Sequence, residues 1–600
     1  MSLRTGEKRE AVFIRHAGRR WSILFTAAAL GVAFAALAAS AGRVSTARHA
    51  MTPASGTGSP ALFRSIGRPL AGASGTVLFP SCQLTTPAGC YGPDQIRAAY
   101  GIQPLLDRGL DGSGRTIAIV EAYGSPTIDA DLAQFDATWG LPDPTSFQVV
   151  APFGVDATDP DNAAGWAGET SLDVEWAHAA APGATILLVV AKSSDDADIL
   201  DATQWILDHN AADVVSQSYG EAEQCMDPAL LQRQHDLFHA LTRRGITLFA
   251  SSGDQGAAQY TCDDSGLFKA TSTPASDPYV TGVGGTRLNA DGTSGAYQSE
   301  STWNQTDLLN QLYGASLGPQ YPAAGGGGVS VIYRQPDYQA KAAGDTGMRT
   351  VPDVSYDAAV IGGVIVVWGG GYYRFGGTSV GSPQWAGLAA IADQLAHSRV
   401  GSINRPLYAA GREHSSPVFF HDIADGSNNS VPDLTPYFDS AYGTPIDGFT
   451  AVPGYDLATG LGTPIASTLV PYLAHNASTG DENDGGNGGN EQGGNGPGNG
   501  GGDEHGGNGG GNGGGNEQGG NGPGNGGGNG HGGSGHGNGG NEHGGNGGGD
   551  EHGGNGGGNG GGNEHGGNGP GNGADNGPGN GGGNEHGGKG GGNGGHEHEH

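Results

Sequence analysis

Between about residues 91 and 475, short apolar runs alternate with stretches of helical period. Arg115–Tyr123 (RTIAIVEAY) and Ala184–Lys192 (ATILLVVAK) are continuous runs of β-formers, the pattern of strands buried on both faces. Asp196–Asn210 (DADILDATQWILDHN) places apolar residues at helical spacing. Asp213–Gly220 (DVVSQSYG) returns to strand, and Met226–Gly245 is an amphipathic helix closed by glycine. Ile246–Gly256 (ITLFASSGDQG) is a further buried strand. Strands alternating with helices predict an α/β fold, a parallel sheet covered by helices on both faces. In such sheets reactive groups gather at the carboxyl ends of strands. Asp254 follows one strand, and Ser379 follows the β-forming run Val364–Gly377, so both are expected along one edge.

The two ends read differently. The first 41 residues have basic residues, an apolar run and Ala39-Ser40-Ala41, the layout of a cleaved secretory signal. Residues 42–90 form a short segment whose first part is rich in small and polar residues and is expected to be flexible. From residue 476 to 600 the chain is low-complexity glycine and asparagine with recurring NEHGG. Such a tail has too little apolar surface to offset the entropy of ordering and is expected to be disordered. The folded part is therefore assigned to residues 91–475.

Composition narrows the partners. Sixty acidic residues against 27 basic ones leave a formal charge of −33. No basic footprint for nucleic acid is visible. An exported, extracellular protein is expected, without stable membrane association once the signal is removed, and monomeric. Four cysteines suit that compartment. Of three connectivities the simplest is Cys82–Cys90 with Cys225–Cys262.

Ser379 lies in Gly377-Thr378-Ser379-Val380-Gly381, between glycines that permit a sharp turn. The pattern satisfies a nucleophile elbow, which in a neutral serine esterase needs an acid and then a histidine downstream. Late histidines are few, His475 standing at the domain edge. His178 follows Asp173, but on an ideal helix it points about 140° away from it, which favours a structural role. Glu169 and Asp173, four apart on a helical stretch, share one face. Two carboxyls so placed can share a proton and raise one pKa, making Glu169 a candidate general base. A solvated acidic face is the competing reading of that pair.

The ordered set of Glu169, Asp173, then SSGDQG with Asp254, then GGTSVGSP with Ser379 resembles the sedolisin family of serine-carboxyl peptidases. YGPDQIRAAYGI, TPASDPYVTGVGGT, SESTWN and RTVPDVSYDA match family segments across nearly the whole folded region. The resemblance implies a subtilisin-like fold and a secreted endopeptidase acting on proteins or peptides in acid. Ser379 would be the nucleophile, Glu169 its base, Asp173 the group that holds Glu169, and Asp254 a protonated donor to the oxyanion. Glu121 would extend the network, with Tyr219 in place of the family's usual tryptophan.

FHDIADGSNN and VPGYDLATGLGTP resemble the two family loops that bind one structural Ca2+. Asp422 and Asp456 would give side-chain oxygens; Ile423, Val452 and Gly454 would give carbonyls. Glycine is usual where Val452 stands. No counterpart of the family's long N-terminal activation domain is expected, since the roughly 50 residues between the expected signal cleavage and Tyr91 are too few for one. That departure keeps a second expectation open: a non-catalytic binding or matrix protein on the same scaffold.

Overall fold

The computed structural model describes residues 52–53, 63–71 and 77–476, apart from 318–321, 414–417, 426–427 and 435–443. The signal expected at 1–41 and the glycine-rich tail lie outside the described residues, save the tail's first residue, Asn476.

The core is an eight-stranded sheet. In chain order its strands are β1 Thr116–Ala122, β2 Ser146–Val150, β3 Thr185–Ala191, β4 Val214–Gln217, β5 Thr247–Ser251, β6 Thr281–Ala290, β7 Tyr297–Thr302 and β8 Val354–Asp357. The spatial order runs β2-β3-β1-β4-β5-β6-β7, with β8 also paired to β6. All pairs are parallel except β6 with β7. The chain moves outward from β1 to one side, then returns to build the other side. The direction of winding changes between β1 and β4, the position at whose carboxyl ends sheets of this kind place their ligands.

The continuous apolar runs are explained by two cores. Ile117 and Ile119 of β1 enter one, while Ala118, Val120 and Ala122 enter the other. The first core takes α1 Ile128–Trp139, α2 Pro160–Ala180, α5 Gly381–Ala396 and α6 Ala466–His475; the second takes α3 Asp196–His209 and α4 Pro228–Thr242. Every α2 residue from Trp166 to Ala180 is buried, because α2 packs at once against the sheet, α1 and α5. Its lack of an apolar stripe in sequence follows from that central position.

The run Val364–Gly377 departs from expectation. It is a hairpin, Gly363–Trp368 (β9) with Gly371–Phe375 (β10), and it lies outside the main sheet. Asp131 of α1 accepts hydrogen bonds at its turn from the Gly369 and Gly370 N–H groups, both 2.9 Å. Phe63–Ser65 pairs with β10, and Cys90–Tyr91 pairs with β9. Thus part of the segment preceding Tyr91 is built into the fold. Both expected disulfides, Cys82–Cys90 and Cys225–Cys262, are present.

Candidate active site

The carboxyl pair sits on α2. Glu169 is 1 % exposed and Asp173 0 %, which excludes a solvated acidic face. Burial, then the charge of Asp173, holds the Glu169 carboxyl well above the ordinary range. Burial pushes Asp173 up to about 8, opposed by Ser218 and Glu121. Glu121, at the end of β1, is raised by burial and by the charges of Asp173 and Glu169. Buried carboxyls packed this closely are stable only when protons are shared among them.

Ser379 lies in a single 3-10 turn, Thr378–Val380, between β10 and α5. The preceding Gly377 has φ 118°, a conformation L side chains rarely adopt. At Gly376 a Cβ would stand 2.7 Å from the Val360 backbone, so both glycines are needed to bring the turn against that segment. The Ser379 hydroxyl faces Glu169 and stabilises its charged form. No hydrogen bond of 3.5 Å or less with suitable angles closes between them. Catalytic contacts are often this loose before substrate binds.

Asp254 follows β5 and reaches the same turn. Its Oδ1 accepts hydrogen bonds from the Thr378 backbone N–H (2.8 Å) and hydroxyl (2.9 Å). Its Oδ2 is buried and has no hydrogen-bond partner among the described residues. Burial pushes the Asp254 carboxyl up to about 7, against the two Thr378 bonds. The structure thus joins Glu169, Asp173, Asp254 and Ser379 in one buried centre, with Glu121 behind Asp173.

Among the described residues no histidine acts on Glu169, Asp173 or Asp254. His178 is committed elsewhere: its Nε2 lies 2.9 Å from the Pro142 carbonyl and 3.3 Å from Asp136. Its structural role stands. Tyr219 is fully buried beside Trp166, with its hydroxyl donating to Gln217 at 3.1 Å and its ring close enough to feel the charge of Glu121. Sequence reading did not single out Thr378 or Ser218. Neither residue type carries a signal alone; each matters because of the carboxyl it faces.

The two candidate calcium loops also meet. The Gly454 N–H donates to Asp422 Oδ2 at 2.9 Å, and the Val452 N–H donates to Asp456 Oδ2 at 3.0 Å. Asp456 Oδ1 takes the N–H groups of Ala458 and Thr459, each at 2.8 Å. Ile423 is buried and Val452 exposed. Among the described residues no group of three or more His, Cys, Asp or Glu side chains is suited to a metal. The donor chemistry still fits a hard cation, because two carboxylates and backbone carbonyls from the same two loops supply oxygen only.

The mostly parallel sheet, covered by helices and carrying a buried serine and three buried carboxyls in one centre, is subtilisin-like in architecture. Residues 161–402 match the Subtilase family model, Peptidase_S8. Kumamolisin of Bacillus sp. (strain MN-32) is 33 % identical over 398 residues, covering 65 % of this chain and 64 % of that protein. Sedolisin of Pseudomonas sp. (strain 101) is 30 % identical over 372 residues, covering 60 % and 58 %. The solved structure of Pseudomonas sedolisin, a serine-carboxyl proteinase complexed with two molecules of pseudo-iodotyrostatin, superposes with a TM-score of 0.54 at 28 % identity. That match covers 65 % of this chain and 99 % of that one. The chain is thus similar in sequence to kumamolisin and sedolisin and in fold to the solved sedolisin. It spans 64 % and 58 % of the length of those two curated relatives.

Proposed function

We propose that this protein is a serine-carboxyl endopeptidase that hydrolyses peptide bonds in acid through an acyl-enzyme on Ser379. The observation that carries the reading is the buried line Ser379, Glu169, Asp173, Glu121, which has no imidazole in it. In the first step, with the shared proton residing on Asp173 or Glu121 so that Glu169 is ionised, the Ser379 oxygen bonds to the scissile carbonyl carbon and its proton passes to Glu169. The carbonyl electron pair moves to oxygen, which receives a hydrogen bond from protonated Asp254 through Oδ2. On collapse the C–N bond breaks, and Glu169 returns the proton to the leaving amine. Water then attacks the acyl carbon, Glu169 takes a proton from it, and Ser379 is regenerated as the acid product leaves. Asp173 holds Glu169 and spreads the charge toward Glu121 and Ser218.

The pH range follows from the same groups. A protonated carboxyl donates a hydrogen bond and an ionised one only accepts. Once the medium passes about 7, Asp254 loses the proton it must offer. Activity is therefore an acid property. A calcium ion would be held by Asp422, Asp456 and the carbonyls of Ile423, Val452 and Gly454, supplying positive charge that ties the two loops. Protein or peptide substrates, an extracellular location and a monomeric state complete the proposal, supported by the export-type leader and the paired cysteines. The test is proteolysis of casein from acid to neutral pH by the full chain. Cleavage confined to acid and lost in Ser379→Ala is expected. Acid activity that survives Ser379→Ala, or a protein inert at every pH, overturns the assignment.

A further inference from the structure

The short strand Tyr219–Ala222 leads away from the reactive centre, for Ser218 just before it is the hydroxyl that faces Asp173. One edge of this strand is paired to Ser272–Thr273. Along the other lies Thr52–Pro53, antiparallel, with Thr52 opposite Gly220 and Pro53 opposite Tyr219. That edge therefore accepts an extended chain, a recognition mode in which main-chain bonds give affinity and flanking side chains give choice. Its direction is informative. From Thr52 to Pro53 the backbone runs toward Tyr219, and so toward Ser218 and the carboxyl centre. A substrate laid on the edge in this sense meets Glu221 with a residue that lies before the cut, on its acyl side.

Glu221 has a partner of its own kind there. Asp196 is the first residue of α3, just beyond the carboxyl end of β3, and its carboxyl and that of Glu221 lie within proton-sharing range of each other. Asp196 is only 2 % exposed. Asp196 Oδ1 and Glu221 Oε1 are both buried without a hydrogen-bond donor among the described residues. The other charges acting on the pair come from Asp195 and Asp227 on Asp196 and from Asp264 on Glu221, all negative. Burial, with Asp195, pushes Asp196 up to about 7; burial, with Asp196 and Asp264, pushes Glu221 up to about 8. The Cys225–Cys262 disulfide ties the loop after this strand to the segment that carries Asp264, so the arrangement is fixed by covalent structure as well as by packing.

None of these groups takes part in the proton transfers described above. In acid the two carboxyls hold protons, and beside an edge that binds extended chain a substrate's cation can displace one of them and pair with the carboxylate it leaves. Lysine and arginine have the long apolar stem to reach a recessed pair and the donors to satisfy both oxygens, arginine through its planar fork.

We propose that Asp196 and Glu221 form a specificity site that takes a lysine or arginine side chain of the substrate on the acyl side of the scissile bond. The inference rests on the serine-carboxyl reading above. Asp196 and Glu221 touch a substrate side chain in it and no reacting atom.

The experiment measures kcat/KM of the full chain in acid on a peptide series in which arginine, lysine, leucine or glutamine stands in turn at each position before the cut. Wild type is expected to favour arginine or lysine over leucine by ~10-fold or more at one position, the scale of a charge pair partly removed from water. Glu221→Gln and Asp196→Asn are expected to lose that ratio, the arginine and lysine peptides falling to the level of the leucine peptide in the same variant. Glu221→Lys is expected to reverse the ratio toward acidic residues at the same position. A wild-type ratio near one at every position overturns the proposal and leaves the peptidase reading standing. A preference unchanged in both Glu221→Gln and Asp196→Asn also overturns it, because the selectivity then comes from the protein's overall negative charge. No cleavage of any peptide or of casein at any pH sinks the peptidase reading and this inference with it.

Discussion

Asp254 and Thr378, 124 residues apart, are joined by two hydrogen bonds on a single carboxyl oxygen, leaving the other oxygen bare and buried. Both bonds favour the ionised form and oppose the upward push of burial. Removing the hydroxyl donor in Thr378→Val therefore raises the Asp254 pKa further. The upper limb of the pH–activity profile is expected to move to higher pH, with modest loss at the optimum. An unmoved or lowered limb would show that Asp254 does not set it.

Asp254→Asn separates donation from titration. The amide can keep an oxygen toward Thr378 and offer N–H where Oδ2 stands. Residual activity that no longer falls near neutrality is expected, whereas Asp254→Ala should lose roughly 10²–10³ in kcat, the scale for deleting an oxyanion donor. Equal behaviour of the two variants in pH profiles would refute the donor role.

Replacing the nucleophile or its base is expected to be far more severe. Ser379→Ala and Glu169→Gln should each lower kcat/KM on a peptide substrate by ~10³-fold or more, as units of a proton-transfer chain do. Their double variant should be little worse than either alone. Additive losses in a kinetic cycle would argue against one linked chain.

Stability should run opposite to that of a protein held by salt bridges. Asp173 and Asp254 have folded pKa values of about 8 and about 7, and Glu121 and Glu169 are also raised. Raised carboxyls keep protons in the folded state that the unfolded chain releases near pH ~4. The stabilisation is fully present below that point and is lost as pH climbs through about 7 to 8. Tm should thus decline from mildly acid to neutral pH, and Asp173→Asn should flatten the decline. A Tm rising over that interval would contradict the shared-proton centre.

For the two loops near Asp422 and Asp456, chelation should lower Tm, and added Ca2+ should restore it by mass action on the folded state. Asp456→Ala should abolish the Ca2+ response. Indifference of wild-type Tm to chelator and Ca2+ alike would remove the metal from the proposal.

Much of the arrangement is written locally. β-branched runs, helical spacing and glycine stops define β1, β3, β4, β5, α3 and α4, because each depends on neighbours within a turn or a pleat. The four principal side chains are expected from their order and types through the family resemblance, while helical spacing alone places Glu169 and Asp173 on one face without saying whether that face is wet. Tertiary contact decided the rest. The hairpin before Ser379 has a strand's composition, and only the Asp131 carboxylate gripping its turn and the pairing with Phe63–Ser65 set it outside the main sheet. Whether the Glu169 pair is a wet surface or a proton-sharing centre depends on burial against the sheet, α1 and α5, which no window of α2 encodes. The free oxygen of Asp254 likewise exists only because Thr378 takes its twin, a contact between distant segments whose energy is invisible until the chain has closed.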